Sequence, residues 1–284
     1  MQTATESRPS RPARTPLRPR RLDLEIDAES VPAAWWNDDL ILSLFGDSLS
    51  LVFPVGERFF VDSVRRYRKQ ITDEQLLDDI NGFTGQEVLH SKAHQTLNDL
   101  FEAHGLKSAR EREAHVGRLL DRVRKLPPIL QLAATCALEH MTALLGEQLL
   151  ELSRELDDVN PKLRPLWLWH AIEESEHKAV AFDVYETVGG GYVIRTGVMV
   201  AATIIFIAEM VHIHATFARD KGVLLDLKGW GRALGYLWGR PGILRRLVPG
   251  YFHYFRPGFH PNDRDTTSLL DQWRGQLFTA PTRA

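Results

Sequence analysis

Cysteine is nearly absent from these 284 residues: Cys136 stands alone. An internal disulfide and any thiolate-rich metal site are excluded, which fits a reducing compartment and an expected cytoplasmic location. Net charge is almost absent too, because 37 acidic residues face 35 basic ones. No global field therefore points to nucleic acid, and none is expected as a partner. No stretch alternates apolar and polar residues as a half-buried strand would, so the expected class is all-α. The first 22 residues hold six Arg and four Pro and no apolar run of signal-peptide type. They are expected to be a disordered tail, with contact to nucleic acid or anionic lipid as the less favoured reading.

Helical periodicity fills residues 37–187. A first helix is expected from about Asn37 to Lys69, kinked near Pro54, and a second from about Asp73 to His104 behind a Thr72 cap with Gln75. A basic crossover helix near Ala109 to Lys125 ends at Pro127-Pro128. The third long helix is expected over Ile129 to Leu156, and the fourth over Leu166 to Val188, stopped by Gly189-Gly190-Gly191. Two helical hairpins joined by a crossover describe a four-helix bundle spanning residues 23–190. Residues 191–284 are expected to form an extension of further helices. Within it, Thr196 to Val211 is apolar but short of the roughly 20 residues that cross a bilayer, so a buried or interfacial helix is expected. The aromatic and basic segment from Trp230 to Phe259 suits either packing on the bundle or peripheral membrane contact.

The second helix carries Phe83, Glu87, His90, His94 and Leu97 on one stripe, and the fourth carries Leu166, His170, Glu174, His177 and Ala181. Each stripe has a Glu-x-x-His at its middle, which places a carboxylate and an imidazole side by side on one face. Glu57 and Glu139 add one carboxylate each from apolar stripes of the other two helices, 30 and 35 residues before their partners. Burying four unpaired carboxylates costs several kcal/mol per ion unless something neutralises them. Two divalent cations would do so. The expected metal ligands are Glu57, Glu87, His90, Glu139, Glu174 and His177, and mixed oxygen and nitrogen donors suit two iron ions, an iron and manganese pair or manganese, with zinc less favoured. His94 and His170 are candidates for an extra ligand or a proton relay, against a satisfied core histidine; Glu173 is a candidate for orienting a ligating histidine, against simple exposure.

The layout Glu57, Glu87-x-x-His90, Glu139, Glu174-x-x-His177 resembles that of the ferritin-like di-iron carboxylate proteins. More narrowly, Trp169-His170, Glu173-Glu174-x-Glu176-His177-Lys178, Gly56-Glu57-Arg58-Phe59-Phe60 and Phe259-His260-Pro261 resemble a bacterial family labelled predicted metal-dependent hydrolases. The first resemblance implies a ferritin-like bundle and an oxidoreductase in which a di-iron pair activates oxygen, fed by an external electron donor, to oxidise a small hydrophobic or amphipathic substrate. The second implies a two-metal hydrolase with the same ligands. Non-catalytic iron handling is a third reading, and a homodimer is compatible with all of them.

Overall fold

The computed structural model describes residues 16–152 and 157–278, and among these there is no β-strand. Most of the chain is helical, so the all-α bundle is what the residues form. Helix α1 (Leu40–Arg65) is capped by the Asp39 carboxylate, which accepts from the Leu42 N–H. Helix α2 (Glu74–Asn98) follows after one 3-10 turn and packs against α1 along its length. Its cap is Asp73, which accepts from the Leu76 N–H, and not Thr72. The two side chains are neighbours in sequence, and the carboxylate is the one in reach of the first turn.

Helix α3 (Ala109–Val123) crosses over to α4 (Pro128–Glu151), which starts with proline at its first position, where no N–H is needed. The last turn expected for α4 includes residues 153–156, which lie outside the described residues. The fourth expected helix is two: α5 (Arg164–His177) and α6 (Val180–Thr187), broken at Lys178 and Ala179. Gly189 then takes φ 83°, a left-handed conformation that ends the helix. Gly146 lets α4 and α5 close together, since a Cβ there would meet the Ala171 carbonyl oxygen at 3.0 Å.

Helix α7 (Tyr192–Asp220) is longer than the segment expected for it and, of the two alternatives, buried or interfacial, it is not the buried one. It has 29 residues, packs one side on α1 and α4, and leaves most of its apolar surface exposed. By length and composition alone α1, α4 and α7 could each cross a membrane, but the apolar windows of α1 and α4 are 72% and 61% buried in the bundle, against 17% for α7. Helix α8 (Leu227–Leu234) packs on α1, α9 (Ile243–His253) on α4, and α10 (Thr267–Phe278) on α4 and α5. Residues 1–15 of the expected tail lie outside the described residues. The remaining part of that segment runs extended over α2, with Leu17 above Gly82 and Pro19 above Gly85.

Two apolar clusters fill the bundle. One contains Phe53, Ala93, Leu97, Leu149, Leu166 and Trp167; the other contains Phe60, Phe83, Leu132, Ala133 and Val180. The bundle helices pass from one cluster to the other, and the residues between them are Glu57, Glu87, His90, Glu139, Glu174 and His177. The core is thus interrupted by one ionisable layer.

Candidate metal centre

The structure brings all six expected ligands together, each at 3% exposure or less. Glu57 and Glu87 sit at similar distances from the α1–α2 turn, as their spacing implied. Glu139 and Glu174, which the expected helix ends placed several ångströms out of level, match because α4 ends at Glu151 and α5 begins at Arg164. Three groups of side chains each place donor atoms within 4.8 Å of one another: Glu57, His90 and His170; Glu87, His90 and Glu174; Glu87, Glu139 and His177. His170 thereby joins the six.

The imidazoles are oriented from outside. His90 Nε2 donates to Glu173 Oε2 at 3.1 Å, which leaves Nδ1 facing Glu174 and Glu87. His177 Nδ1 donates to the Gln86 side-chain oxygen at 3.1 Å, which leaves Nε2 facing Glu87 and Glu139 at 3.0 and 3.4 Å. His170 is fixed by a longer chain that starts at Pro54. Proline has no N–H for the Ser50 carbonyl one turn back, and Asn98 Nδ2 donates to that carbonyl instead at 3.0 Å. Asn98 Oδ1 then accepts from the Ser50 hydroxyl at 2.6 Å, the hydroxyl accepts from His94 Nδ1 at 2.9 Å, and His94 Nε2 accepts from His170 Nδ1 at 2.6 Å. The lone pair of His170 Nε2 is left pointing at Glu174 Oε1, 2.9 Å away, and at Glu57 Oε1, 3.8 Å away. His94 is a link in this chain rather than a member of the cluster. Phe53 packs edge-on against both His94 and His170, Trp169 against His90, and Phe83 against His177.

Electrostatics make the layer costly without a cation. Burial, reinforced by neighbouring carboxylates, pushes Glu57 and Glu87 well above the ordinary carboxylate range and Glu139 up to about 7. Burial alone would raise Glu174 as well, but His177 and His170 outweigh it and hold Glu174 well below. Both carboxylate oxygens of Glu57, Glu87 and Glu139, together with His90 Nδ1 and His177 Nε2, are buried without a hydrogen-bond partner. Orphaned buried acceptors of this kind are rare in a stable core. Carboxylates and imidazole lone pairs converging in one layer fit divalent cations.

A family model described as predicted metal-dependent hydrolase matches residues 18–265. The chain belongs to this family. Membership of the predicted metal-dependent hydrolase family agrees with the buried Glu and His cluster and with the hydrolase expectation. It lends nothing to oxygen chemistry, and the ferritin-like likeness rests on the ligand layout alone. No curated protein and no solved structure gives a match.

Of the outer supports of this family member's site, sequence reasoning named Glu173, which meets His90, but missed Gln86 and Arg20. Gln86 donates to Glu176 Oε2 while accepting from His177, and Arg20 bridges Glu173 and Glu176. Glu176 and Lys178 are held in ion pairs: Glu176 with Arg20 and Arg274, Lys178 with Glu147. The one available signal was the position of Gln86 beside a ligand. His140 turns away and donates to the Gly250 carbonyl, and His260 pairs with Asp183 while accepting from the Asn262 N–H. Outer partners of metal-ligating histidines carry roughly 10- to 100-fold of metal affinity. Gln86→Leu and Glu173→Ala are each expected to weaken metal binding within about that range, measured by competition with a chromophoric chelator. Unchanged affinity in both would show that the two histidines do not ligate through Nε2 and Nδ1 respectively.

Proposed function

We propose that this protein is a two-metal-ion enzyme that hydrolyses a small apolar or amphipathic compound. The observation that carries the proposal is the direction of three imidazole lone pairs, His90 Nδ1, His170 Nε2 and His177 Nε2, each turned into the carboxylate layer by a hydrogen bond on the other ring nitrogen. His90, His170 and Glu57 would hold one cation and His177 and Glu139 the other, with Glu87 and Glu174 between them. Such ions supply Lewis-acid polarisation of a scissile group and activation of water. The family description supports that reaction class.

The walls beside the carboxylate layer support an apolar or amphipathic substrate. A cavity of about 20 Å³ adjoins His170 and Glu174 and is otherwise lined by Phe53, Leu145, Leu149 and Trp167, with Thr142 as the polar exception. A second, of about 10 Å³, shares Leu145, Leu149 and Trp167 and continues to Trp35 and Phe45. Apolar walls on both sides of Trp167 favour an apolar chain, and Thr142, which donates to Glu174 at 2.5 Å, is placed to orient a polar head beside the ligands.

One observation favours a second reading. Four carboxylates and three imidazoles in a buried layer suit iron, whose redox change would support oxidation of the substrate by oxygen with an external electron donor. Loading metal-free protein with zinc, manganese or iron separates the readings. Oxygen-independent cleavage of acyl esters by the zinc or manganese form supports hydrolysis. Oxygen uptake by the iron form with reductant and an apolar substrate, without turnover by zinc, assigns oxidation. Deposition of many irons per chain without turnover assigns storage.

A further inference from the structure

Between Tyr192 and Val211 helix α7 turns its charged residues inward and most of its large apolar ones outward. Between Tyr192 and Val211 the charged side chains are Arg195, which is 5% exposed and donates to the Tyr254 carbonyl at 2.6 Å, and Glu209, which pairs with His115 at 3.3 Å. The outward residues include Val193, Ile204, Ile207 and Val211, exposed by 79%, 64%, 56% and 64%. A strip of this kind along a whole helix marks an interaction surface.

The chain that follows lies beside it. The start of α7 is tied to the end of α9 by the Tyr192 hydroxyl, which donates to the Phe255 carbonyl at 2.7 Å. Its far end is tied to α8, where the His214 and Trp230 rings lie 4.7 Å apart. The α8–α9 segment therefore runs back along α7, and it adds exposed Leu227, Leu234, Trp238, Val248 and Phe252. From Leu227 to Asn262 there is no acidic residue, whereas Lys228, Arg240, Arg245, Arg246 and Arg256 are exposed; Arg232, also exposed, pairs with Asp39 at 2.8 Å. A chain with balanced charge overall has thus gathered unbalanced positive charge around its largest apolar exposure.

We propose that α7, α8 and α9 form a docking surface for an anionic lipid bilayer, the α7 strip and the aromatic side chains resting among the acyl chains and the arginines meeting the headgroups. Apolar burial and basic attraction are the two contributions that hold an interfacial helix, and each basic residue near an anionic leaflet adds several-fold to binding. A second copy of this chain could cover the apolar strip, but like-charged arginine rims would then face one another, so the charge pattern selects the lipid.

The experiment is flotation of the metal-loaded full chain with vesicles of phosphatidylcholine alone and of phosphatidylcholine mixed with phosphatidylglycerol. Binding to the anionic vesicles is expected to exceed binding to the neutral ones by at least about tenfold, and to fall as salt shortens the screening length from about 10 Å to about 3 Å. Combining Arg240→Glu, Arg245→Glu and Arg246→Glu is expected to weaken binding on the order of a hundredfold. Ile204→Asp with Ile207→Asp is expected to weaken it about tenfold or more at unchanged metal content, which separates lost docking from lost folding. Equal binding to both vesicle types, no binding at low salt, or a lipid-free dimer that the Ile204 and Ile207 changes dissociate would overturn the proposal.

Discussion

Metal-loaded protein is expected to melt roughly 15 °C or more above metal-free protein at about pH 8, since two sites saturated about 1,000-fold above Kd contribute about 8 kcal/mol. The gap should narrow toward about pH 6.5. Burial and neighbouring carboxylate charge hold Glu57 and Glu87 well above the ordinary 4.5. A carboxyl raised in this way keeps its proton in the fold and loses it in the unfolded chain, so it contributes stability below about 4.5 that is lost as pH climbs toward the folded value. His177 acts in the same direction: burial opposes its charge, but Glu174, Glu139 and Glu87 hold it well above 6.5, and its contribution is lost as pH rises from there. His90 and His94, held well below 6.5 by burial, act oppositely, but in the unfolded chain they are half titrated at 6.5 and nearly fully titrated by about 7.5. Above that value the metal-free protein should lose about 1.4 kcal/mol per pH unit for each group still protonated in the fold. Scanning calorimetry of both forms across pH measures this. A metal-free protein as stable at about pH 8 as at about pH 6.5 would show that the layer carries no such strain.

Glu57→Gln is expected to move stability and affinity in opposite directions. Replacing a buried, unpaired carboxylate by a neutral amide should stabilise metal-free protein by about 1 kcal/mol or more. The same change removes a donor, and metal affinity should fall more than about a hundredfold, beyond what changes to the outer hydrogen-bond partners cause. Ordinary structural carboxylates behave otherwise, losing stability when their partners are left unpaired. Glu102→Gln, a change at the surface, should alter neither quantity. A loss of stability in metal-free Glu57→Gln, with metal uptake retained, would remove that residue from the ligand set.

The layer of buried carboxylates and imidazoles was legible because Glu-x-x-His is a local pattern: whatever the exact helix ends, residues three apart share a face. Glu139 was harder to place, since its level depended on where α4 stops, and helix ends are the least determined part of a sequence pattern. The inclusion of His170 needed the tertiary chain through Ser50, His94 and Asn98, which joins α1, α2 and α5 and leaves no mark in any one helix. Gln86 and Arg20 were missed for the same reason, as their partners lie on α5. The length of α7 was misread because Arg195 bounds the apolar run in the sequence, whereas in the fold its guanidinium is buried against backbone carbonyls and the helix passes through it.

The most direct test of the two-metal account is a count of metal ions. Metal-free protein would be loaded anaerobically with ferrous iron or manganese, freed of excess metal, and analysed for metal per chain, alongside His177→Ala and His170→Ala. The account predicts two ions per chain in the parent protein and at most one in each variant. A parent protein that retains none, or only one that both variants keep, would contradict it.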